Sequence, residues 1–537
     1  MNKKYDFIVI GAGSAGCVIA TKIIEQTNAT VLLLEAGPKD TNPFIHMPAG
    51  IPFVMQSCTW GYVTDPEPFA NNRCIPVPQG KVMGGSSSIN GMIYVRGNAQ
   101  DYDDWQQTYG CTGWGYKDVL PYFIQAENNE SLSGSYHGTK GHLWVSENRY
   151  RHPLSMAYIR SAQELGFPYV TDFNGAEQAG AGYFQSTTHL GKRASTAYAY
   201  LSRVIDNDRL TVVTDALTEQ IIIENGEAVA VQYKHKHKQT ITAQANHEII
   251  VTAGAMGTPK VLMLSGIGPK DHLQELGIEL KVDSPNVGKN YQDHLHLSLN
   301  AKTANTPSLL QESKGLKKIA NGIEWLAYKH GVVTSNILES GGFFDLDGDG
   351  KPETQIHALP VIDNFDNLDA RKDLDGDGIT LKLGHVYPKS RGEVLLRSKD
   401  PNDMVRIKGN YLAEADDMSA QLRAVKFGLK FFEAPSLKSV VTEVIAPDSS
   451  YDTDEKLEEF IRQYCKTVFH PIGTCRMGSS LETSVVDLQL KVRGVSNLRA
   501  ADSSVMPHIT SGNTNAPVIM IAERAAEFII TDYKKGN

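Results

Sequence analysis

The run YDFIVIGAGSAGCVIATKIIEQTNATVLLLEAG, residues 5–37, leaves little choice of local fold. Tyr5 to Ile10 is apolar and rich in β-branched residues, the composition of a strand. Glycines interrupt it, CVIATKIIEQT then repeats at helical spacing, and TVLLLEAG is a second apolar run. Strand, glycine turn, helix and strand make a βαβ unit. Gly11, Gly13 and Gly16 let a pyrophosphate approach a helix N-terminus, and Glu35 closes the second strand about 20 residues later, placed to accept from ribose hydroxyls. An ordinary glycine-rich turn would not need strand, helix and acid together.

The chain has 537 residues, 41% of them hydrophobic, enough for at least two cores of ordinary domain size. A net charge of -9 and the absence of a basic arm argue against nucleic-acid binding, which needs a clustered positive field. Six cysteines lie scattered without a CxxC pair, so neither a zinc site nor a disulfide framework is expected. The N-terminus passes straight into the first strand, not into a signal peptide, and no stretch reaches the ~18 apolar residues of a membrane span. The expected location is cytoplasmic, with any membrane contact peripheral.

Residues 38–150 are rich in Gly, Pro, Asn and Trp with little periodicity, and read as long excursions against the first domain. Alternating segments from 210 to 255 read as a meander returning to it. Between about 300 and 465, separated strands (TQIHALPV, ITLKLGHVYP, GEVLLRS) and helices near 415–433 and 454–466 suggest a second, α+β domain. A strand, a loop and a closing helix end the chain.

Four further segments carry chemistry. GKVMGGSSSINGMIYVRG (Gly80 to Gly97) concentrates backbone amides and hydroxyls suited to phosphates or the polar edge of a flavin. GAMGTPKVLMLSGIG (Gly254 to Gly268) has a Thr-Pro helix start between glycines. In FHPIGTCRMG, His470 precedes proline and so sits in shaped, non-helical backbone, and its imidazole has the pKa nearest neutrality for taking a hydroxyl proton. SGNTNAPVIMIAERAA (Ser511 to Ala526) opens the closing helix. Alone, a His before Pro is more often structural; its company changes that.

These segments, in this order from residue 7 to residue 526 and together with SRGEVLLRSKDP, resemble the glucose-methanol-choline (GMC) family of FAD-dependent oxidoreductases, nearest the bacterial branch of aliphatic alcohol and choline dehydrogenases. The resemblance implies an α/β, Rossmann-like FAD-binding domain with a second α+β substrate domain built on an antiparallel sheet. Its expected extents are 1–150, 190–300 and 466–537 for the first, and 151–189 and 301–465 for the second. It implies His470 as the base at the flavin's reactive face and Asn513 as its partner on the substrate oxygen. The implied FAD contacts are Gly11, Gly13, Ser14, Gly16, Glu35, Val82, Gly85, Asn90, Gly91, Met92, Asp502, Asn515 and Pro517. Ile89 stands where members with covalent flavin carry histidine, so dissociable FAD is expected. Glu339 matches a position that faces the substrate's cation in choline-oxidising members, with a purely structural carboxylate as the even alternative.

The implied reaction is oxidation of a primary, aliphatic alcohol to its aldehyde by hydride transfer to flavin N5, with electrons passed to a quinone or other non-oxygen acceptor. Choline dehydrogenase and an oxygen-using alcohol oxidase are the alternatives, and a lyase or light-driven decarboxylase the distant ones on the same fold. Two features stand outside this. The segment 313–331 spaces Leu316, Ile319, Ile323, Trp325 and Leu326 along one side with lysines elsewhere, which suits either an anionic membrane or inward packing. DLDGDG occurs at Asp345 to Gly350 and Asp373 to Gly378, but neither copy has the acid a complete calcium loop needs at its twelfth position, so both are expected to be surface turns and no metal is assigned.

Overall fold

The structure, a computed structural model, describes residues 3–236, 238–363 and 376–536. The apolar runs at the N-terminus form the parallel strands Lys3–Ile10 and Val31–Leu34, joined by the helix Ser14–Gln26. Burial on both faces explains why neither run alternates. The sheet continues to Leu210–Val213 on one side and Thr240–Val251 on the other, both parallel, then turns back through Glu227–His235 and Ala216–Glu224 as an antiparallel meander. Leu498–Ala500 joins beside Thr240–Val251. The closing helix Asn515–Gly536 lies against Ser14–Gln26, and a buried ion pair, Lys22 to Glu523 at 2.9 Å, clamps the two.

A second sheet runs Val441–Ala446, Leu295–Thr303, Gly378–His385, Thr354–Leu359, Ser340–Phe344, Gly180–Tyr183, antiparallel throughout. In Leu295–Thr303, LHLSLNAKT alternates: Leu295, Leu297, Leu299 and Ala301 join the core that includes Phe427 and Phe431 of the helix Ala415–Glu433. His296, Ser298 and Asn300 therefore occupy the opposite face. This strand runs through the expected domain boundary at residue 300. Cutting it there would split one alternating pattern, and all nine of its residues belong to the second sheet. Lys466–Thr467, expected in the first domain, pairs with Leu295 and His296 as well.

Residues 38–150 hold more regular structure than their composition suggests. Asn98 and Asp101 form a reciprocal capping box that starts the helix Ala99–Gln107, burying Tyr102 and Trp105, and Tyr116–Ala126 follows. The Asn-x-x-Asp spacing was the available signal.

The first DLDGDG copy is a turn: Asp345 accepts from the amides of Gly348 and Gly350, and Glu353 from that of Leu346. Asp345, Asp347 and Glu353 gather within 4.8 Å, but Asp345 and Glu353 already accept from the turn's own amides. Asp373 and Asp375 of the second copy lie outside the described residues; Asp377 caps Ser308 at 2.9 Å. Thr354 pairs with His385 and Leu359 with Thr380, so the two copies open strands at opposite edges of the sheet.

Candidate active site

The glycine turn of the first sheet and the loop 80–92 meet with no room for side chains. A Cβ on Gly11, whose φ is +102°, would lie 2.6 Å from the Thr252 carbonyl oxygen, and one on Gly85, at φ +53°, 2.6 Å from the Gly13 Cα. Ser14, at the start of the first helix, donates to Asn515 Oδ1 at 2.9 Å. Buried Arg193 fastens the loop, donating to the Asn90 side chain at 2.7 Å and to the carbonyls of Ser87, Asn90 and Ile45. Glu35 accepts from the amides of Ala12 and Gly37, and burial pushes its carboxyl up to about 7. Asp502 accepts from the Gly254 amide at 2.8 Å and the Thr258 hydroxyl at 2.6 Å, and its carboxyl is likewise raised by burial.

These groups line one end of a continuous cavity of about 740 Å³ that reaches His470 and Asn513 at the second sheet. Gly11, Gly13, Ser14, Glu35, Gly85, Asn90, Gly91, Met92, Asp502 and Asn515 all face it. Three expected contacts do not. Gly16 packs on the Gly11 carbonyl, where a Cβ would come within 1.9 Å. Val82 is buried in an apolar cluster with Ile45, Val54, Cys58 and Ile89, and Pro517 is buried inside the closing helix. These three shape the wall from behind.

At the far end, the loop after Lys466–Thr467 delivers His470. Phe469 takes a left-handed φ of 67°, a conformation that costs about 1–3 kcal/mol. It is held by the His470 amide, which donates to Asp293 Oδ1 at 2.8 Å. Asp293, raised to about 7 by burial, also accepts from Tyr291, itself bonded to Tyr411 at 2.8 Å.

The imidazole's protonation follows from its partners. His294 Nε2 lies 3.0 Å from the Val386 carbonyl oxygen, which only accepts, so Nε2 carries the proton. Burial holds His294 down to about 3, so the ring is neutral and its Nδ1 is an acceptor. His470 Nδ1, 3.1 Å from that atom, must donate. Burial, then the neighbouring histidines, hold His470 well below its ordinary range, which leaves Nε2 unprotonated. Asn513 Nδ2 donates to Nε2 at 3.2 Å, while Asn513 Oδ1 accepts from Gln355 at 3.3 Å. The cavity thus ends in an imidazole lone pair beside an amide donor, the pairing required to take a hydroxyl proton and hold the oxygen it leaves.

Glu339 is elsewhere. It is fully buried and does not line the cavity; its carboxylate accepts from the His152 amide at 2.7 Å, Ser155 Oγ at 3.0 Å and Ser335 Oγ at 2.6 Å. Four polar side chains that sequence reasoning missed stand near His470: His294, His296, His357 and Lys382. Strand alternation carried a signal for three of them; for His294 the signal was its place beside Asp293 in NYQDH.

A glycine-edged helix N-terminus, an acid closing the second strand and a histidine at the end of the same cavity suit a dinucleotide-dependent oxidoreductase. The chain belongs to the GMC oxidoreductase family, whose N-terminal model matches residues 5–296 and whose C-terminal model matches residues 388–522. It is 41% identical over 533 residues to an alcohol dehydrogenase [acceptor] of Pseudomonas putida, covering 98% of this chain and 96% of that one. It is 40% identical over 529 residues to an oxygen-dependent choline dehydrogenase of Rhizobium etli, covering 98% and 95%. Formate oxidase from Aspergillus oryzae RIB40 superposes with a TM-score of 0.94 at 26% identity over the whole of both chains. Pyridoxine 4-oxidase from Mesorbium loti does so with a TM-score of 0.87 at 27% identity, covering 97% of this chain and 98% of that one.

The protein is therefore an FAD-binding oxidoreductase acting on a CH–OH group, with a Rossmann-like α/β domain and an antiparallel substrate domain. The glycine contacts and the cavity's length suit the dinucleotide. One expectation is overturned: relatives that use oxygen by name, and oxidases among the solved structures, displace the quinone or other non-oxygen acceptor. Among the described residues no helix is long and apolar enough to cross a membrane.

Proposed function

We propose that this enzyme oxidises an alcohol to the aldehyde and returns the electrons to molecular oxygen. The observation that carries the oxidation is His470 Nε2 on the cavity wall beside Asn513, and the oxygen-dependent relatives and oxidase structures support oxygen as the acceptor. Bound FAD supplies the two-electron acceptor for the carbon-bound hydride. His470 Nε2 takes the hydroxyl proton, and the charge that appears on the ring is shared through Nδ1–H with His294. Asn513 turns its amide onto the substrate oxygen, a preorganised donor of the kind that contributes ~3 kcal/mol. Gly11, Gly13 and Ser14 would hold the pyrophosphate, Asp502 would accept from the ribityl hydroxyls and Glu35 from the ribose. Ile89, buried and apolar, offers no nucleophile to a flavin, which supports dissociable FAD; acid precipitation should leave FAD in the supernatant.

Choline, which several relatives carry in their names, is the alternative substrate. Its quaternary ammonium needs an unpaired acid or an open aromatic face. Glu339 is turned away, Asp363 is ion-paired to Lys382 at 2.7 Å and the Trp60 ring carries Lys81 at 4.5 Å, which leaves Tyr62 and Phe469 as the aromatic residues of the wall that would meet it. Anaerobic mixing with primary alcohols should bleach the flavin, and air should restore it with release of hydrogen peroxide. Bleaching without peroxide in air would refute oxygen as the acceptor, and bleaching by choline alone would restore the choline reading.

We further propose that the helix Gly315–Tyr328 rests on an anionic lipid surface. Leu316 is 85% exposed, and Ile319, Ile323 and Leu326 are each at least 60% exposed, while only Trp325 is buried, donating to the Gly191 carbonyl at 2.8 Å. Lys314, Lys317, Lys318 and Lys329 supply the charge. The turn Val332–Thr334 after the helix packs on Pro48–Gly50, next to Ile51 and Met55 of the cavity wall.

A further inference from the structure

We infer that the cavity beyond His470 contains a carboxylate subsite formed by Lys382, His296 and His357, so that the alcohol oxidised is a hydroxy acid. This rests on the alcohol-oxidising reading above and extends it to the substrate's second group. Sheet register brings the three together. Lys382, on the central strand Gly378–His385, lies directly opposite His357 on one side and Ser298 on the other. His296 is two residues from Ser298 and on the same face, diagonal to Lys382, within reach of long side chains. All three line the same cavity as His470 and Asn513.

Their hydrogen-bonding capacity is turned to that cavity. His296 is 4% exposed and His357 5%, yet neither ring nitrogen of His296 nor Nε2 of His357 has a partner among the described residues. The main chain of Thr467 lies beside His296 outside hydrogen-bonding geometry. The other side of His357 is spoken for by Asn513. Buried polar atoms left unmet are costly, so a polar group is the natural neighbour here.

Charge selects an anion over a neutral group. Lys382 pairs with Asp363, but the carboxylate is the deep member, its side chain 1% exposed, and the ammonium the open one at 18%. Asp363 also lines the cavity, held by Ser298 at 3.4 Å and through its amide by Thr380 at 2.8 Å, so a ligand carboxylate would reach the pair from the lysine's more exposed side. Burial first, and then Lys382 and Lys466 for His296 and Lys382 for His357, disfavour protonation, so both rings are neutral. The subsite is thus one ammonium and two neutral imidazoles, of which His296, with both ring nitrogens unmet, has an N–H to give. A cation or a bare alkyl end would leave these donors unpaired.

The test compares ω-hydroxy carboxylic acids of three to six carbons with their methyl esters, using flavin bleaching in the holoenzyme. The acid should exceed its ester at least tenfold in kcat/KM, mostly through KM, and Lys382→Met should collapse the ratio toward one while Lys382→Arg preserves it. Butyrate, which lacks the hydroxyl, should perturb the flavin spectrum of the resting enzyme and do so more weakly in His296→Phe. Acid and ester within twofold, or no butyrate signal, would overturn the subsite. If no alcohol bleaches the flavin, the oxidation reading fails, and the butyrate spectrum still decides the subsite.

Discussion

His294 Nδ1 and His470 Nδ1 stand 3.1 Å apart, and that contact determines which nitrogen of His470 is free to act as a base. Because His294 spends its own proton on the Val386 carbonyl, it has only a lone pair to offer His470. Replacing it with phenylalanine should let the His470 ring sample the wrong tautomer. We expect anaerobic flavin reduction to slow about 10- to 100-fold, part of the ~10²–10⁴ a positioned base contributes, with FAD content unchanged. A His294→Gln variant, which restores an acceptor, should recover part of the rate; equal rates in wild type and His294→Phe would remove the tautomer argument.

Removal of the base itself should be more severe. His470→Ala is expected to reduce the rate of flavin bleaching by about 10³-fold, and Asn513→Ala by about 10²-fold. The double variant should fall well short of the product, since the two groups act on one oxygen. Stopped-flow absorbance of purified, fully loaded protein measures all three.

The acidity of the site gives a signed pH dependence. A proton on His470 Nε2 blocks catalysis, and its occupancy rises as pH falls through the folded-state pKa. Burial and the surrounding imidazoles push that pKa well below the ordinary 6.5. The profile of kcat/KM should therefore stay level from pH 8 down past 6.5 and decline only further into acid. An inflection near 6.5 that persists in Asp293→Asn and Glu35→Gln, the two carboxyls raised to about 7, would mean that His470 titrates like an exposed imidazole.

The crossing of glycine loops is open to a structural test. Gly85 sits at φ +53° with the Gly13 Cα in the way of any Cβ, so Gly85→Ala should push the two loops apart. We expect purified protein with sub-stoichiometric FAD, read from the ratio of absorbance at 450 and 280 nm, and a lower melting temperature. Full occupancy would show that the loops need not meet.

For the exposed helix, sedimentation with vesicles supplies the measurement. The enzyme should pellet with vesicles containing phosphatidylglycerol and remain in solution with pure phosphatidylcholine. Serine at Ile319, Ile323 and Leu326 together should abolish pelleting while leaving flavin reduction intact, because none of the three lines the cavity.

The first sheet could be read from the sequence because its strands are short unbroken apolar runs punctuated by glycine. Strand, helix and Glu35 then followed from local pattern alone. His470 and Asn513 were legible only through resemblance, because nothing local distinguishes a catalytic imidazole from a structural one. The second sheet hid its chemistry in alternation: LHLSLNAKT and TQIHALPV each carry a histidine on the polar face. Which strands pair, and in what register, is a long-range property; the 357–382 contact could not be inferred from either segment. Glu339 failed for a related reason. An acid beside a Gly-Gly turn looks available, and only the fold reveals that the segments 152–155 and 335 supply its partners.

The strand Leu295–Thr303 also separates two kinds of evolutionary freedom. Its first residues, with Asp293 and His294 just before them, fix the proton-taking group, and substitutions there should be purged whatever the substrate. Two and more residues further on, and on the strands beside it, the same pleated surface presents side chains that contact only the far end of the ligand. Of these, Ser298 and Lys382 can drift without disturbing the base, whereas His357 bonds Asn513 and helps to keep His470 neutral. One backbone thus keeps the chemistry constant while letting descendants of this chain change diet.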